Sequence, residues 1–220
     1  AVISIDVPSG MPVDKSCKDE VVIKAAYTLT FQSLKLCFLM PENAGFFGEI
    51  NVLDIGLHPD FLKKADAIFE LITAEKIREI FKPRKPFSHK GDYGHALLIA
   101  GAKGKMGAAV IAARACLRAG VGLLTVEVKE ENLPVLQASI PEAMCILRSE
   151  NIEFDNFSSI GIGPGIGTSE DAIKLLQKVL QRFAKPALID ADALNILAIN
   201  KGWLDNLTKG SVLTPHPKEF

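Results

Sequence analysis

The chain has 220 residues, 48% hydrophobic content, 17 glycines and a formal net charge of −1. That composition fits a well-packed α/β protein and argues against disorder, and the charge leaves no basic field for nucleic acid and no polybasic membrane patch. The longest apolar runs, 97–102 and 121–128, fall far short of the ~18 residues that span a bilayer.

Four widely spaced cysteines (Cys17, Cys37, Cys116, Cys145) show no C-x-x-C pairing. They read as free thiols of a reducing compartment, with Cys116 and Cys145 buried in apolar runs. The start, Ala1-Val2-Ile3-Ser4-Ile5-Asp6, lacks the basic n-region of a signal peptide. It reads as the middle of a core strand, so the chain is expected to begin inside a domain.

Residues 1–58 are β-rich, with short β-prone runs at 1–5, 26–31 and 50–55 bounded by proline and glycine turns. No long helical period falls between them. Residues 59–88 change character: a helix is expected over 75–81 with Thr73 as its N-cap, followed by the basic, proline-broken 82–90. We read 59–88 as a linker and entry to a second domain, 89–220.

From about residue 93 the chain alternates strand and helix. Strands are expected near 95–100, 123–128, 158–162, 187–189 and 211–213. Helices are expected over 108–119, 133–140 (Pro134 at a tolerated early position), 168–183 and from 193. In 108–119, small residues surround one polar stripe of Arg114 and Arg118, which predicts a helix buried on most sides. Thr168 is expected to cap the helix that carries Ile173, Leu176, Val179, Leu180 and Phe183 on one face. Such alternation implies a mainly parallel sheet with helices on its faces.

Four motifs follow expected strands. Gly161-Ile162-Gly163-Pro164-Gly165-Ile166-Gly167 precedes a helix, so its N–H groups could meet an anion; a tight turn would look the same, and the dinucleotide fingerprint is not matched. Gly101–Gly107 lacks the Gly-Lys-Ser/Thr of a Walker A loop. Asp190 and Asp192 could bind a cation or ligand hydroxyls, or cap the next helix. Leu213-Thr214-Pro215-His216-Pro217-Lys218-Glu219-Phe220 delivers a histidine between prolines to a strand's carboxyl end, where parallel sheets place ligands. The chain then stops with half a sheet expected to follow. Near the start, Asp6 and Ser9 on one turn could share a ligand or form an ordinary turn.

In order, Ile3–Gly10, Ala26–Phe31 and Asp54-Ile55-Gly56 resemble the last third of an NAD(P)H-hydrate epimerase. Lys90–Gly94, Gly101–Ala109, Gly161–Gly167, Asp190–Asn195 and Leu213–Phe220 resemble the first half of an ADP- or ATP-dependent NAD(P)H-hydrate dehydratase. Both domains occur together in the family of bifunctional NAD(P)H-hydrate repair enzymes. The resemblance implies the β-rich end of a Rossmann-like epimerase domain over 1–58, then a ribokinase-like α/β domain with a mainly parallel sheet and helices on both faces.

It further implies that Ala108, Gly165 and His216 contact the hydrated cofactor in the dehydratase, with Gly163, Gly167 and Asp192 in support. Asp6 would contact it in the epimerase, and Ser9 would help hold potassium. The nucleotide (ADP or ATP) comes with Mg2+, and the catalytic aspartate of the family's Gly-Thr-Gly-Asp segment is expected beyond Phe220. A cytoplasmic homo-oligomer acting on NAD(P)H hydrate is the implied whole. Sugar and vitamin kinases of the same fold tend to carry Thr-Pro-Asn-x-x-Glu where this chain has Thr214-Pro215-His216-Pro217-Lys218-Glu219. The histidine favours the dehydratase over such a kinase.

Overall fold

The computed structural model describes residues 1–148, 151–216 and 219, and of Lys63 the backbone alone. Pro217, Lys218 and Phe220 of the terminal motif therefore lie outside the described residues. The chain forms two compact units, Ala1–Pro83 and Arg84–Phe220.

The first unit is built on three parallel strands in the order β1 (Ile3–Ile5), β2 (Tyr27–Phe31) and β3 (Glu49–Leu53). Side chains alternate across a strand, and the buried face carries Ser4, Thr28 and Thr30. Burying hydroxyls requires partners, and the Thr28 hydroxyl donates to the Phe47 carbonyl at 2.7 Å. Against that face pack Met11, Cys17, Cys37, Phe38 and Phe47, the last from the short helix α1 (Ala44–Phe47). Helix α2 (Pro59–Lys64), which the sequence reading left within the linker, starts with proline at its first turn. In α3 (Ala74–Ile80) the Thr73 hydroxyl accepts from the Lys76 N–H, which is the expected cap.

The second unit holds six parallel strands in the order β6-β5-β4-β7-β8-β9. They are β4 (His95–Ile99), β5 (Leu123–Val128), β6 (Met144–Leu147), β7 (Ser159–Ile162), β8 (Ala187–Asp190) and β9 (Val212–Thr214). The chain builds outward from β4 through β5 to β6, then returns to place β7 on the other side of β4. The strand order therefore reverses between β4 and β7, and open α/β sheets bind ligands at that switch point.

Buried strands of a parallel sheet need apolar cover on both faces. Leu97, Ile99, Ile160, Ile162 and Ile189 pack under α6 (Glu170–Arg182) and α7 (Asp192–Ile199). Ala96, Leu98, Leu124, Val126 and Val128 pack under α4 (Met106–Arg118) and α5 (Leu133–Ser139).

Three expectations need correction. Strand β6 was not foreseen: its four residues at the sheet edge, Met144 to Leu147, have no motif beside them to mark a strand end. The residue before α6 is Ser169, not Thr168, and no side-chain bond caps the helix; Glu170 and Asp171 in the first turn complement its dipole instead. Helix α4 is buried along one stripe (Met106, Ala109, Ala113), and Ile111 is 72% exposed. Its small side chains cover β4 and β5, while beside it an apolar groove of about 520 Å³ is floored by Gly161, Leu188 and Val212. All four cysteines are free; Cys17 and Cys37 are the buried ones, Cys116 and Cys145, expected to be buried, are only partly so, and desolvation pushes the Cys37, Cys116 and Cys145 thiols up.

Candidate active site

At the switch point of the second unit, the loops after β4 and β7 are bonded to each other. The Gly101 N–H donates to the Pro164 carbonyl at 2.8 Å, and the Gly163 N–H to the Ile99 carbonyl at 3.1 Å. Gly163 (φ +134°) and Gly165 (φ +67°) have positive-φ backbone, which residues with a side chain rarely adopt. A Cβ on Gly163 would lie 1.7 Å from the Asp190 carbonyl oxygen. One on Gly165 would lie 3.1 Å from the Ala108 Cβ, and equally close to Lys105. Gly165 and Ala108 thus form one tight wall, made by the glycine loop and the first turn of α4.

Asp192 fastens this loop. Its Oδ2 accepts from the Gly167 N–H at 2.8 Å and from the Lys105 ammonium at 3.2 Å, with only 19% of the side chain exposed. The capping reading for Asp192 fails: Ala191, with φ +48°, is the residue before α7, and no side chain caps the helix. Asp190 is no cap either; its Oδ1 accepts from the Thr214 hydroxyl at 2.8 Å, joining the ends of β8 and β9. Two residues past β9, the His216 N–H donates to the Glu219 carboxylate at 2.9 Å, and the Glu219 N–H donates back to the His216 carbonyl at 2.7 Å. That reciprocal pair shapes the turn that carries the exposed imidazole.

The structure therefore brings Ala108, Gly163, Gly165, Gly167 and Asp192 into one cluster. His216 stands at the end of β9, one strand beyond β8 on the same sheet edge. Lys105 escaped the sequence reading, because nothing local ties it to an aspartate 87 residues away. Chemically, the cluster offers close backbone approach, one ammonium and a small-residue wall.

In the first unit, Asp6 directly follows β1 and takes a left-handed backbone, φ +66°. Its carboxylate is held from outside the Asp6–Ser9 turn. Oδ1 accepts from the Thr30 hydroxyl at 3.2 Å, the Phe31 N–H at 3.2 Å and the Lys35 ammonium at 2.8 Å. The Lys35 bond, chiefly, holds the Asp6 carboxyl below the usual carboxylate range. Ser9 lies exposed on the following turn, and its carbonyl accepts from the Ile23 N–H. Among the described residues, no group of three His, Cys, Asp or Glu side chains could hold a metal ion.

Comparison with known proteins follows this geometry. The chain is 37% identical to the bifunctional NAD(P)H-hydrate repair enzyme Nnr of Escherichia coli over 223 residues, covering 99% of this chain and 42% of that protein. The Coxiella burnetii enzyme of the same name is 34% identical, with 99% and 44% covered. The chain thus spans less than half the length of these relatives. Among solved structures, a ribokinase-like protein of Enterococcus faecalis superposes with a TM-score of 0.61 at 26% identity, covering 70% of this chain and 58% of that one. The ADP/ATP-dependent NAD(P)H-hydrate dehydratase of Bacillus subtilis, co-crystallised with ATP/Mg2+, gives 0.55 at 31% identity, covering 67% and 53%. The family model for NAD(P)H-hydrate dehydratase matches residues 96–220. That span opens within β4 and takes in every loop of the switch point, and on it the chain belongs to the NAD(P)H-hydrate dehydratase family, with a mainly parallel, ribokinase-like α/β fold.

Proposed function

We propose that the second unit binds NAD(P)H hydrate for nucleotide-dependent dehydration back to NAD(P)H, within a bifunctional repair enzyme whose epimerase part includes the first unit. The observation that carries this reading is the wall of Gly165 and Ala108 at the switch point, with its loop fastened by Asp192. The reduced ring has gained water at C6. Phosphorylation of that hydroxyl by ADP or ATP makes phosphate the leaving group, and loss of a ring proton restores the reduced nicotinamide. This chain's residues bind and orient: Ala108 and Gly165 let the ring approach the backbone, and the His216 imidazole supplies an orienting hydrogen bond.

Asp6 contacts the hydrate in the epimerase part. Mg2+ would accompany the nucleotide, as ATP/Mg2+ does in the Bacillus subtilis crystals. Potassium would be held in part by Ser9, whose one exposed hydroxyl needs further ligands to make a potassium site. The domain limits we propose are 1–58, 59–88 and 89–220, in a cytoplasmic homo-oligomer. The relatives that share nearly the whole chain are repair enzymes, which disfavours the sugar or hydroxymethyl-pyrimidine kinase.

Incubating the full-length protein with hydrated NADH and ADP or ATP tests the reading. Return of the reduced-nicotinamide absorbance, dependent on nucleotide, is the expected result. Nucleotide consumed on a sugar or hydroxymethyl-pyrimidine, with no return of absorbance, would support the kinase instead.

A further inference from the structure

The carboxyl edge of the first unit contains two non-glycine residues in left-handed backbone, Asp6 (φ +66°) and Gln32 (φ +59°). Each directly follows a strand, β1 and β2, and these strands are neighbours. Both continue the ladder: the Asp6 N–H donates to the Leu29 carbonyl at 2.8 Å and the Gln32 N–H to the Leu53 carbonyl at 2.7 Å. Strained backbone persists where the surroundings over-determine it, and it clusters at functional sites.

What over-determines Asp6 is Lys35. The ammonium has three N–H groups and meets three acceptors: Asp6 Oδ1 at 2.8 Å, the Phe31 carbonyl at 2.7 Å and the Ser33 carbonyl at 3.3 Å. The Lys35 side chain is 16% exposed, while that of Asp6 is 41% exposed. Every hydrogen bond to the carboxylate among the described residues ends on Oδ1. Oδ2 is left as an ionised acceptor on a side chain open to solvent. Lys35 is the charged group in that set; the Thr30 hydroxyl and the Phe31 N–H are neutral.

We propose that Lys35 is a positioning residue. It fixes the rotamer of Asp6 by anchoring Oδ1, so that Oδ2 is presented at the sheet edge to accept a hydrogen bond from a hydroxyl-bearing ligand. This rests on the reading of Asp6 as a contact of the hydrated cofactor. An anchored, ionised Asp6 accepts a proton or a hydrogen bond; it is not poised to donate one.

The test compares Lys35→Met and Lys35→Arg with wild type in the full-length protein. Epimerisation of hydrated NADH is followed across pH, and Asp6 is titrated by carbon NMR of labelled aspartate, assigned with Asp6→Asn. Loss of a charge-assisted bond predicts a fall of about tenfold or more in kcat for Lys35→Met, with the acid limb moved to higher pH. Asp6 should titrate at higher pH in the same variant, and Lys35→Arg should restore most of both. A folded Lys35→Met with an unmoved acid limb and an unmoved Asp6 titration overturns the proposal. So does Lys35→Arg behaving as Lys35→Met on both readouts. Absence of epimerase turnover in wild type would defeat the functional reading of this unit, while the Asp6 titration would still decide the role of Lys35.

Discussion

Two aspartates stand at carboxyl edges of parallel sheets, one in each unit, and they are used differently. Asp192 is 19% exposed and gathers a backbone N–H and an ammonium onto Oδ2, so its carboxylate holds a loop in place. Asp6 likewise gathers its donors onto one oxygen, Oδ1, but its side chain is 41% exposed, so its other oxygen stays open to solvent. The residue type is the same and both lie close behind a strand, Asp6 directly after β1 and Asp192 two residues past β8 at the start of α7. The difference lies in which neighbours reach the carboxylate and how open it is left. A third carboxylate, Glu127 near the end of β5, sets the limit: fully buried, it is clamped by Arg148 through bonds of 2.6 and 2.8 Å.

The largest effect should come from that limit. Arg148→Met would leave a buried carboxylate without its partner, and breaking such a pair costs about 3–5 kcal/mol. Urea unfolding of the full-length protein should show this, and adding Glu127→Leu should recover most of it. A loss no larger than that of an exposed pair, about 0–1 kcal/mol, would mean that burial does not separate these carboxylates.

Much of this was legible in the sequence where it depended on local pattern. Apolar runs in regular alternation with helical stretches placed β4, β5, β7, β8 and β9, glycine-rich loops marked the ends of β4 and β7, and Thr73 announced α3. The glycine loop could be recognised because glycine alone fits where a Cβ would lie 1.7 Å from the Asp190 carbonyl. What could not be read depends on residues far apart in the chain. Asp192 meets Gly167 across 25 positions and Lys105 across 87, so its local signal pointed to a helix cap. Asp6 could be read only together with Ser9 on its own turn, yet its donors come from the end of β2 and from Lys35. The two edge strands differ in this: β9 was marked by the Thr214-Pro215-His216 motif after it, whereas β6 has no such motif beside it.

A smaller effect should separate the two aspartates directly. Asp192→Ala removes an acceptor from the Gly167 N–H and from Lys105, a change of about 1.5–3 kcal/mol for hydrogen bonds to a charged group. The Gly167 amide should then exchange with solvent faster, and hydrate binding should weaken because the loop is no longer held. Unchanged exchange at Gly167 would mean that the loop is held by its own backbone bonds.

The central claim is that Gly165 and Ala108 form the wall against which the hydrate reacts, and Gly165→Val tests it most directly. A side chain there would start 3.1 Å from the Ala108 Cβ on a left-handed backbone. Gly120→Ala is the matched control, with φ +104° and nothing within 4 Å of its Cβ. Misplacing a substrate by about 1 Å can cost ~100-fold in rate. Dehydratase turnover of the full-length protein should therefore fall by at least about that factor in Gly165→Val and stay near wild type in Gly120→Ala. A folded Gly165→Val that restores hydrated NADH at the wild-type rate would contradict the account.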